Sequence, residues 1–225
     1  MSEGITIALS KGKLLSSTLL LFRQAGYSGY YVQEDDRRLI VEYPEHGHRV
    51  LIVRPSDVPV YVEYGAADLG VVGKDVLLEQ TPDVYEPVDL GLGVCKLVVA
   101  KPNGQTPIQR LSSKLRVATK YPNITERYFN QQGLPVELIK LYGSIELAPL
   151  VGLADRIVDL VETGKTLKAN NLVEEEIIAW SSARLIVNRA SLKMKHATMT
   201  EVITRIKKQV RTNQSPKGAG KGVRR

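Results

Sequence analysis

The chain is short of the residues that make cross-links, metal cages and membrane spans. It has one cysteine and three histidines in 225 residues, so no disulfide framework is open to it. The cysteine, Cys95, lies in the largely apolar run 93–100. A small buried thiol in a strand is the simple reading, since no histidine stands near it in sequence to make it a nucleophile. His46 and His48 flank Gly47 after Pro44 with no ligand-spaced cluster beside them, and they read as a solvated turn rather than a metal pair. No stretch approaches the roughly 18 to 20 uncharged apolar residues that cross a bilayer. The opening MSEG has neither the basic flank nor the apolar run of a signal peptide, so a cytoplasmic location is expected.

Negative charge is missing from one end only. The net charge is +7, but of 31 basic residues eight fall in 205–225, where there is no acidic one, and the other 23 face 24 acids. The body is thus close to neutral, which argues against a nucleic-acid surface. The Gly- and Lys-rich stretch from Ser215 reads as a flexible, solvated tail.

What is present is enough apolar content, 43%, to bury a real core in one large or two small domains. Residues 5–9 form a β-type run, and Ser10, Lys11, Gly12 and Lys13 lead into a helical pattern over 14–25 that Gly26 stops. Two strands are expected in 39–53, a helix over 58–64, a strand over 68–72, and a helix opened by Gly73, Lys74 and Asp75. A second cycle has strands at 92–100, 115–119, 136–140 and 157–161, with helices over 124–132 and 145–151 between them. A single strand over 177–187 and a terminal helix over 199–210 complete the pattern. The alternation predicts an α/β fold with largely parallel sheets, in two lobes with a central cleft. Lobe I takes residues 1–92 plus 188–212, lobe II residues 93–187, and the tail residues 213–225.

Gly164, Lys165 and Thr166 look like the end of a nucleotide-binding P-loop. The full pattern needs a glycine five residues earlier, where Asp159 stands, so that reading fails. What remains is a strand with Asp155, Asp159 and Glu162 running into Thr163, Gly164, Lys165 and Thr166. Backbone N–H groups freed at such a turn, with two hydroxyls, favour an anion, and the acids upstream suit ribose hydroxyls or a cation held with a diphosphate. The same residues also suit an ordinary helix start with threonine caps and solvated acids. The pattern by itself leaves both readings standing.

Lys11 and Lys13 around Gly12, Arg54 after the strand ending at Val53, and Lys74 after Gly73 are basic points at strand ends, where ligands of open α/β sheets collect, although each taken singly reads as a solvated surface cation. Pro55 restricts Arg54 to extended backbone and aims its side chain. Tyr27, Tyr30 and Tyr31 read as packing for a loop, and Trp180 as core or interface.

Four segments in order, ITIALSKGK at 5–13, RPSDVP at 54–59, GAADLGVVGKD at 65–75 and DRIVDLVETGKTLK at 155–168, make the chain resemble the ATP phosphoribosyltransferases. The likeness runs over about residues 4–210. It implies a fold like the type II periplasmic binding proteins and attack by adenine N1 of ATP on C1 of phosphoribosyl pyrophosphate, with loss of pyrophosphate at the entry to histidine biosynthesis. By this resemblance Asp155, Asp159, Glu162, Thr163, Gly164, Lys165 and Thr166 hold the phosphoribosyl group. Lys11, Lys13, Asp68, Leu69, Gly70 and Gly73 meet ATP or pyrophosphate, and Arg54 is the catalytic residue opposing charge on the departing diphosphate. Mg²⁺ would be bound mainly through substrate phosphates. Lys13 stands where relatives commonly carry arginine, which keeps the charge but not the two-pronged contact. Some 15 residues follow Val210, too few for a histidine-binding domain, so the resemblance is to the short form. A homodimer is expected, together with a regulatory partner similar to histidyl-tRNA synthetase. The competing classes are a solute-binding or effector-sensing module on the same architecture, and polyanion binding through the basic tail.

Overall fold

The computed structural model describes residues 4–32, 37–104 and 115–214. The expected tail from Ser215 lies outside them. In chain order the elements are β1 (Ile5–Ser10), α1 (Lys13–Gln24), β2 (Ile40–Tyr43), a 3-10 turn (Pro44–His46), β3 (His48–Val53), α2 (Val58–Glu63), β4 (Leu69–Gly73), α3 (Lys74–Gln80), β5 (Tyr85–Asp89) and β6 (Cys95–Pro102). There follow β7 (Leu115–Thr119), α4 (Pro122–Gln131), β8 (Val136–Lys140), α5 (Leu147–Leu150), β9 (Arg156–Val161), α6 (Lys165–Ala169), β10 (Leu172–Ser181), β11 (Ala183–Val187), α7 (Arg189–Met194) and α8 (His196–Gln214). No helix among the described residues is long and apolar enough to cross a membrane.

The chain divides into two compact units. The first holds the described residues of Met1–Val72, Pro82–Leu92 and Ala183–Arg225; the second those of Gly73–Thr81 and Gly93–Ser182. Residues 73–81 therefore leave the expected lobe I, and the return falls at 182/183 rather than 187/188. Hydrogen bonding accounts for both shifts. Lys74 N donates to Ser182 O (2.9 Å) and Asp75 N to Ser181 Oγ (3.0 Å), which ties α3 to the end of β10. The run 177–187 is accordingly two strands in two sheets rather than one.

The first unit carries a sheet of order β2-β3-β1-β4-β11-β5. β1 lies parallel to β3 and β4, with Ser10 opposite Val53 and Leu9 opposite Val71. β2 and β5 run antiparallel to their neighbours, so the sheet is mixed, not largely parallel. β5 carries Pro87, which is tolerated because the strand is an edge. On α1, Thr18, Leu19, Leu21 and Phe22 are buried. The helix ends with Gly26 at φ 97°, whose N–H and that of Tyr27 reach back to Arg23 and Phe22 carbonyls, a closure that favours glycine. α8 buries Met199, Val202, Ile206 and Val210 at helical spacing against the same core. Each of these large side chains contributes roughly 1.5–3 kcal/mol by leaving water.

The second unit's sheet has the order β10-β6-β9-β7-β8, with β7 parallel to β8 and β9 and with β6 antiparallel to β9 and β10. α5 and α6 cover one face, over Val98, Ala100, Ile157 and Val161. α4 covers the other, over Leu97, Val99, Val117 and Val158. Along the edge strand β10 the three glutamates are held individually. Glu174 meets Lys96, Glu175 meets Lys101 and the buried Arg156, and Glu176 meets Tyr128 and Gln132.

Several expectations change here. His48 is buried, not in a solvated turn: its Nδ1 meets Tyr30 Oη inside a ring cluster of Phe22, Tyr27, Tyr30, Tyr43 and His46. Tyr31 is exposed while Tyr27 and Tyr30 are core. Cys95 is half-buried, its thiol pKa raised by burial and by the charge of Asp75. Trp180 is 63% exposed on β10 and is not core.

Candidate functional site

β9, the middle strand of the second unit's sheet, ends at the buried Val161. Glu162, Thr163 and Gly164 then turn the chain into α6. Gly164 takes φ 73°, a left-handed conformation that side chains resist, and a β-carbon there would meet Glu174 Oε1 at 3.7 Å. Leu167 is buried in the core and pins the short helix, while Lys168 N donates to Gly164 O at 3.0 Å. The N–H groups of the first helical turn have no intrahelical acceptor, and Thr163 and Thr166 beside them are exposed.

These residues line a recess of about 260 Å³ together with Glu146, Asp159, Glu162 and Lys165. The lining offers hydroxyls and an ammonium together with three carboxylates. Asp159 is half-buried and accepts a hydrogen bond from Leu160 N at 2.8 Å. Burial raises its pKa to about 6 against that hydrogen bond, Glu146 pushes it further up, and Lys120 pulls it down. Near neutral pH it is therefore mostly an acceptor, close to taking a proton.

Behind Asp159 stands a satisfied buried network. Thr119 Oγ1 donates to Val158 O (2.8 Å) and accepts from Tyr121 N (2.9 Å). Tyr121 Oη and Ser181 Oγ donate to the two oxygens of Asp75 at 3.0 and 2.8 Å. Burial and the charge of Asp75 hold the Tyr121 hydroxyl well above the usual tyrosine range, so it stays a donor.

Of the residues picked from sequence in this loop, Asp159, Glu162, Thr163, Gly164, Lys165 and Thr166 come together. Asp155 does not. It precedes β9 at the opposite end of the strand and binds Arg116 Nη2 (3.1 Å), Nε (3.3 Å) and N (3.0 Å). Burial pushes its carboxyl up, but the Arg116 hydrogen bonds and charge outweigh this and hold it below the ordinary range. Glu146 and Lys120 went unnoticed in the sequence. Both follow strands, β8 and β7, that run parallel to β9 and end at the same sheet edge, and that was the available signal.

In the first unit Lys11 and Arg54 are exposed at the carboxyl ends of β1 and β3, and Lys11 N donates to Val53 O at 2.9 Å. Lys13 is the exposed first residue of α1, after Gly12 at φ 104°. Asp68 lies at the other end of β4, buried, accepting from Thr6 N (2.8 Å) and Lys195 Nζ (3.0 Å). Leu69 and Gly70 are buried within β4, and a β-carbon on Gly70 would stand 2.7 Å from Val62 and 2.8 Å from Val58 on α2. Asp68, Leu69 and Gly70 are thereby occupied in packing the unit. Gly73 ends β4 with ordinary backbone at φ −66°, and a side chain there would collide with the Asp75 carboxylate.

Among the described residues no group of three or more His, Cys, Asp or Glu is arranged to hold a metal ion. The recess carboxylates are hard oxygen donors, which fits a magnesium ion that takes most of its ligands from substrate phosphates and water.

Comparison with known proteins gives one consistent result. The family model described as ATP phosphoribosyltransferase matches residues 54–208. An ATP phosphoribosyltransferase of Syntrophotalea carbinolica is 58% identical over 205 residues, covering 90% of this chain and 94% of that one. ATP phosphoribosyltransferase 2 of Geobacter sulfurreducens is 55% identical over 212 residues, covering 93% and 100%. A chain of the ATP phosphoribosyl transferase (HisG:HisZ) complex from Thermotoga maritima superposes with a TM-score of 0.80 at 32% identity, covering 92% and 99%. The periplasmic aliphatic sulphonate binding protein SsuA of Escherichia coli, at 14% identity and a TM-score of 0.62 over 96% of this chain and 75% of that one, shares the fold alone.

Proposed function

This chain belongs to the ATP phosphoribosyltransferase family, and from that premise we propose that the recess beside α6 holds the ribose 5-phosphate of phosphoribosyl pyrophosphate. The enzyme is a pentosyltransferase of the first step of histidine biosynthesis, joining adenine N1 of ATP to C1 of the ribose with release of pyrophosphate. The observation that supports the site is the lining itself, which joins Thr163, Gly164, Lys165 and Thr166 with Asp159, Glu162 and Glu146 in one recess. The first set takes the phosphate, and the ionised carboxylates accept the ribose hydroxyls.

Adenine N1 is a weak nucleophile, so rate comes from orienting it and from opposing the charge that leaves with the diphosphate. Asp159 and Glu162 fix the ribose while C1 gains positive character. Arg54, with Lys11 beside it at the strand ends of the first unit, is assigned to the pyrophosphate, Lys13 and Gly73 to the ATP side. Bound Mg²⁺, carried on the substrate phosphates and touching at most the recess carboxylates, would supply further neutralisation of the diphosphate. Asp155, Asp68, Leu69 and Gly70 are left out of the contact set because each is committed to its own unit's structure.

The chain is also assigned a homodimeric state and a regulatory subunit, through which histidine would act. The Thermotoga maritima complex supports the hetero-oligomer.

The test of the site is calorimetric titration with phosphoribosyl pyrophosphate, alongside pyrophosphate release with ATP and Mg²⁺. Lys165→Ala is expected to weaken binding about tenfold or more, on the scale of one lost charge-assisted contact, and Asp155→Asn to leave affinity within about twofold. Equal losses in both variants would move the sugar phosphate away from this recess.

A further inference from the structure

The phosphate loop lies against a charge pair to which the reaction chemistry assigns no part. Lys96 is the cross-strand partner of Val161, so its side chain leaves the sheet on the face of Val161, at the edge where the loop begins. A β-carbon at position 164 would lie 4.0 Å from Val161 Cγ1 and 3.7 Å from Glu174 Oε1. The other oxygen of Glu174 accepts from the Lys96 ammonium at 2.5 Å. A carboxylate therefore stands against the loop's glycine, and Lys96 is the cation that cancels it.

The charge balance of the recess makes that cancellation matter. Its lining has Glu146, Asp159 and Glu162 against Lys165, with Lys120 acting on Asp159 from outside the lining, so carboxylates already outnumber cations around an incoming phosphate before Glu174 is counted. For folding the pair has little weight, because its side chains are 24% and 32% exposed and solvent-accessible ion pairs contribute little. For an anion held at Gly164 the effect of losing Lys96 is a new unit of repulsion at short range.

We propose that Lys96 is a positioning residue of the phosphate loop, acting through Glu174: it neutralises the carboxylate against Gly164 so that the loop can hold a sugar phosphate. This rests on the assignment of the recess to ribose 5-phosphate.

The experiment is calorimetric titration of the full chain and its variants with ribose 5-phosphate, with thermal melts to confirm folding. Lys96→Met is expected to weaken binding about tenfold, Lys96→Arg to keep wild-type affinity, and Glu174→Gln to bind at least as tightly as wild type. The double variant Lys96→Met with Glu174→Gln should return to within about threefold of wild type. That restoration separates charge compensation from a direct lysine-to-phosphate contact or a purely structural role. A double variant as weak as Lys96→Met, or a Lys96→Met chain that binds normally, overturns the proposal. If Lys96→Met does not fold, Glu174→Gln decides, and weaker binding by it is the overturning result. Failure of the wild-type chain to bind ribose 5-phosphate would remove the loop assignment and this inference with it; wild-type binding with an unaffected Lys96→Met removes this inference alone.

Discussion

At the scale of single residues the loop shows how far a local pattern reaches. A strand, a glycine turn and two threonines within eight positions announced Asp159 and residues 162–166, because everything they do is local. Asp155 belongs to the same sequence motif and lies at the other end of the strand, paired with Arg116. At about 3.3 Å per residue the six-residue β9 carries its two ends some 20 Å apart, and only the far end reaches the recess. Glu146, Lys120, Lys96 and Glu174 could not be read locally, since they arrive from four other points in the chain through the order of the sheet. Asp159 makes the pH behaviour predictable. Its carboxyl has a pKa of about 6. As pH falls through 6 it takes up a proton and stops accepting from ribose hydroxyls, so the KM for phosphoribosyl pyrophosphate should rise below that pH. Asp159→Asn should bind weakly with a flatter profile, and the difference between the two profiles cancels the contribution of the substrate's own phosphate ionisation. If wild-type affinity instead improves in acid relative to Asp159→Asn, Asp159 only repels the phosphate and does not hold the sugar.

Elements were legible where one periodicity ran unbroken and were missed where tertiary partners overrode it. α1 and α8 declare themselves by apolar spacing, and β1, β7 and β8 by short β-branched runs. β5 was hidden by Pro87 and two acids, which only an edge position permits, and the first half of β10 by three successive glutamates that find cations across the sheet and a tyrosine hydroxyl on α4. α7 was missed although Asn188 caps it by accepting from Ser191 N at 2.8 Å. The packing of α1, β2 and β3 around His48 has a measurable consequence. Burial, then the neighbouring His46, lower the His48 pKa to about 4, while Glu201 and Glu45 oppose them. The unfolded chain binds this proton near pH 6.5 and the native chain does not, so stability should be full above about pH 6.5, fall between pH 6.5 and 4, and level off below. The part due to His48 is at most about 3 kcal/mol. Denaturant midpoints against pH for wild type and His48→Phe should differ in slope across that window. Parallel curves would mean that His48 titrates normally in the native state.

For the whole molecule, both α/β units and the discontinuity of the first were legible from two rounds of alternating elements, while the crossing points were not. Those depend on where α3 and Ser181 find hydrogen bonds. The first unit's sheet takes β11 between β4 and β5, and Lys195 Nζ reaches back 191 positions to Gly4 O at 2.8 Å while also meeting Asp68. A chain cut after Ser182 should therefore keep amide protection in residues 96–101 and 156–161 but lose it in residues 5–10 and 48–53, read by hydrogen exchange. Protection retained in β1 of that fragment would show that the early strands close without the later ones. On a ribosome the same arrangement sets an order of events: the segment made first waits, β4 lacking a neighbour, until β11 at Ala183–Val187 has been synthesised. The stretch made in the middle already has all its own partners. The free edge of newborn β4 is thus the aggregation-prone part of the growing chain, although in the finished enzyme Leu69, Gly70, Val71 and Val72 of that strand are buried.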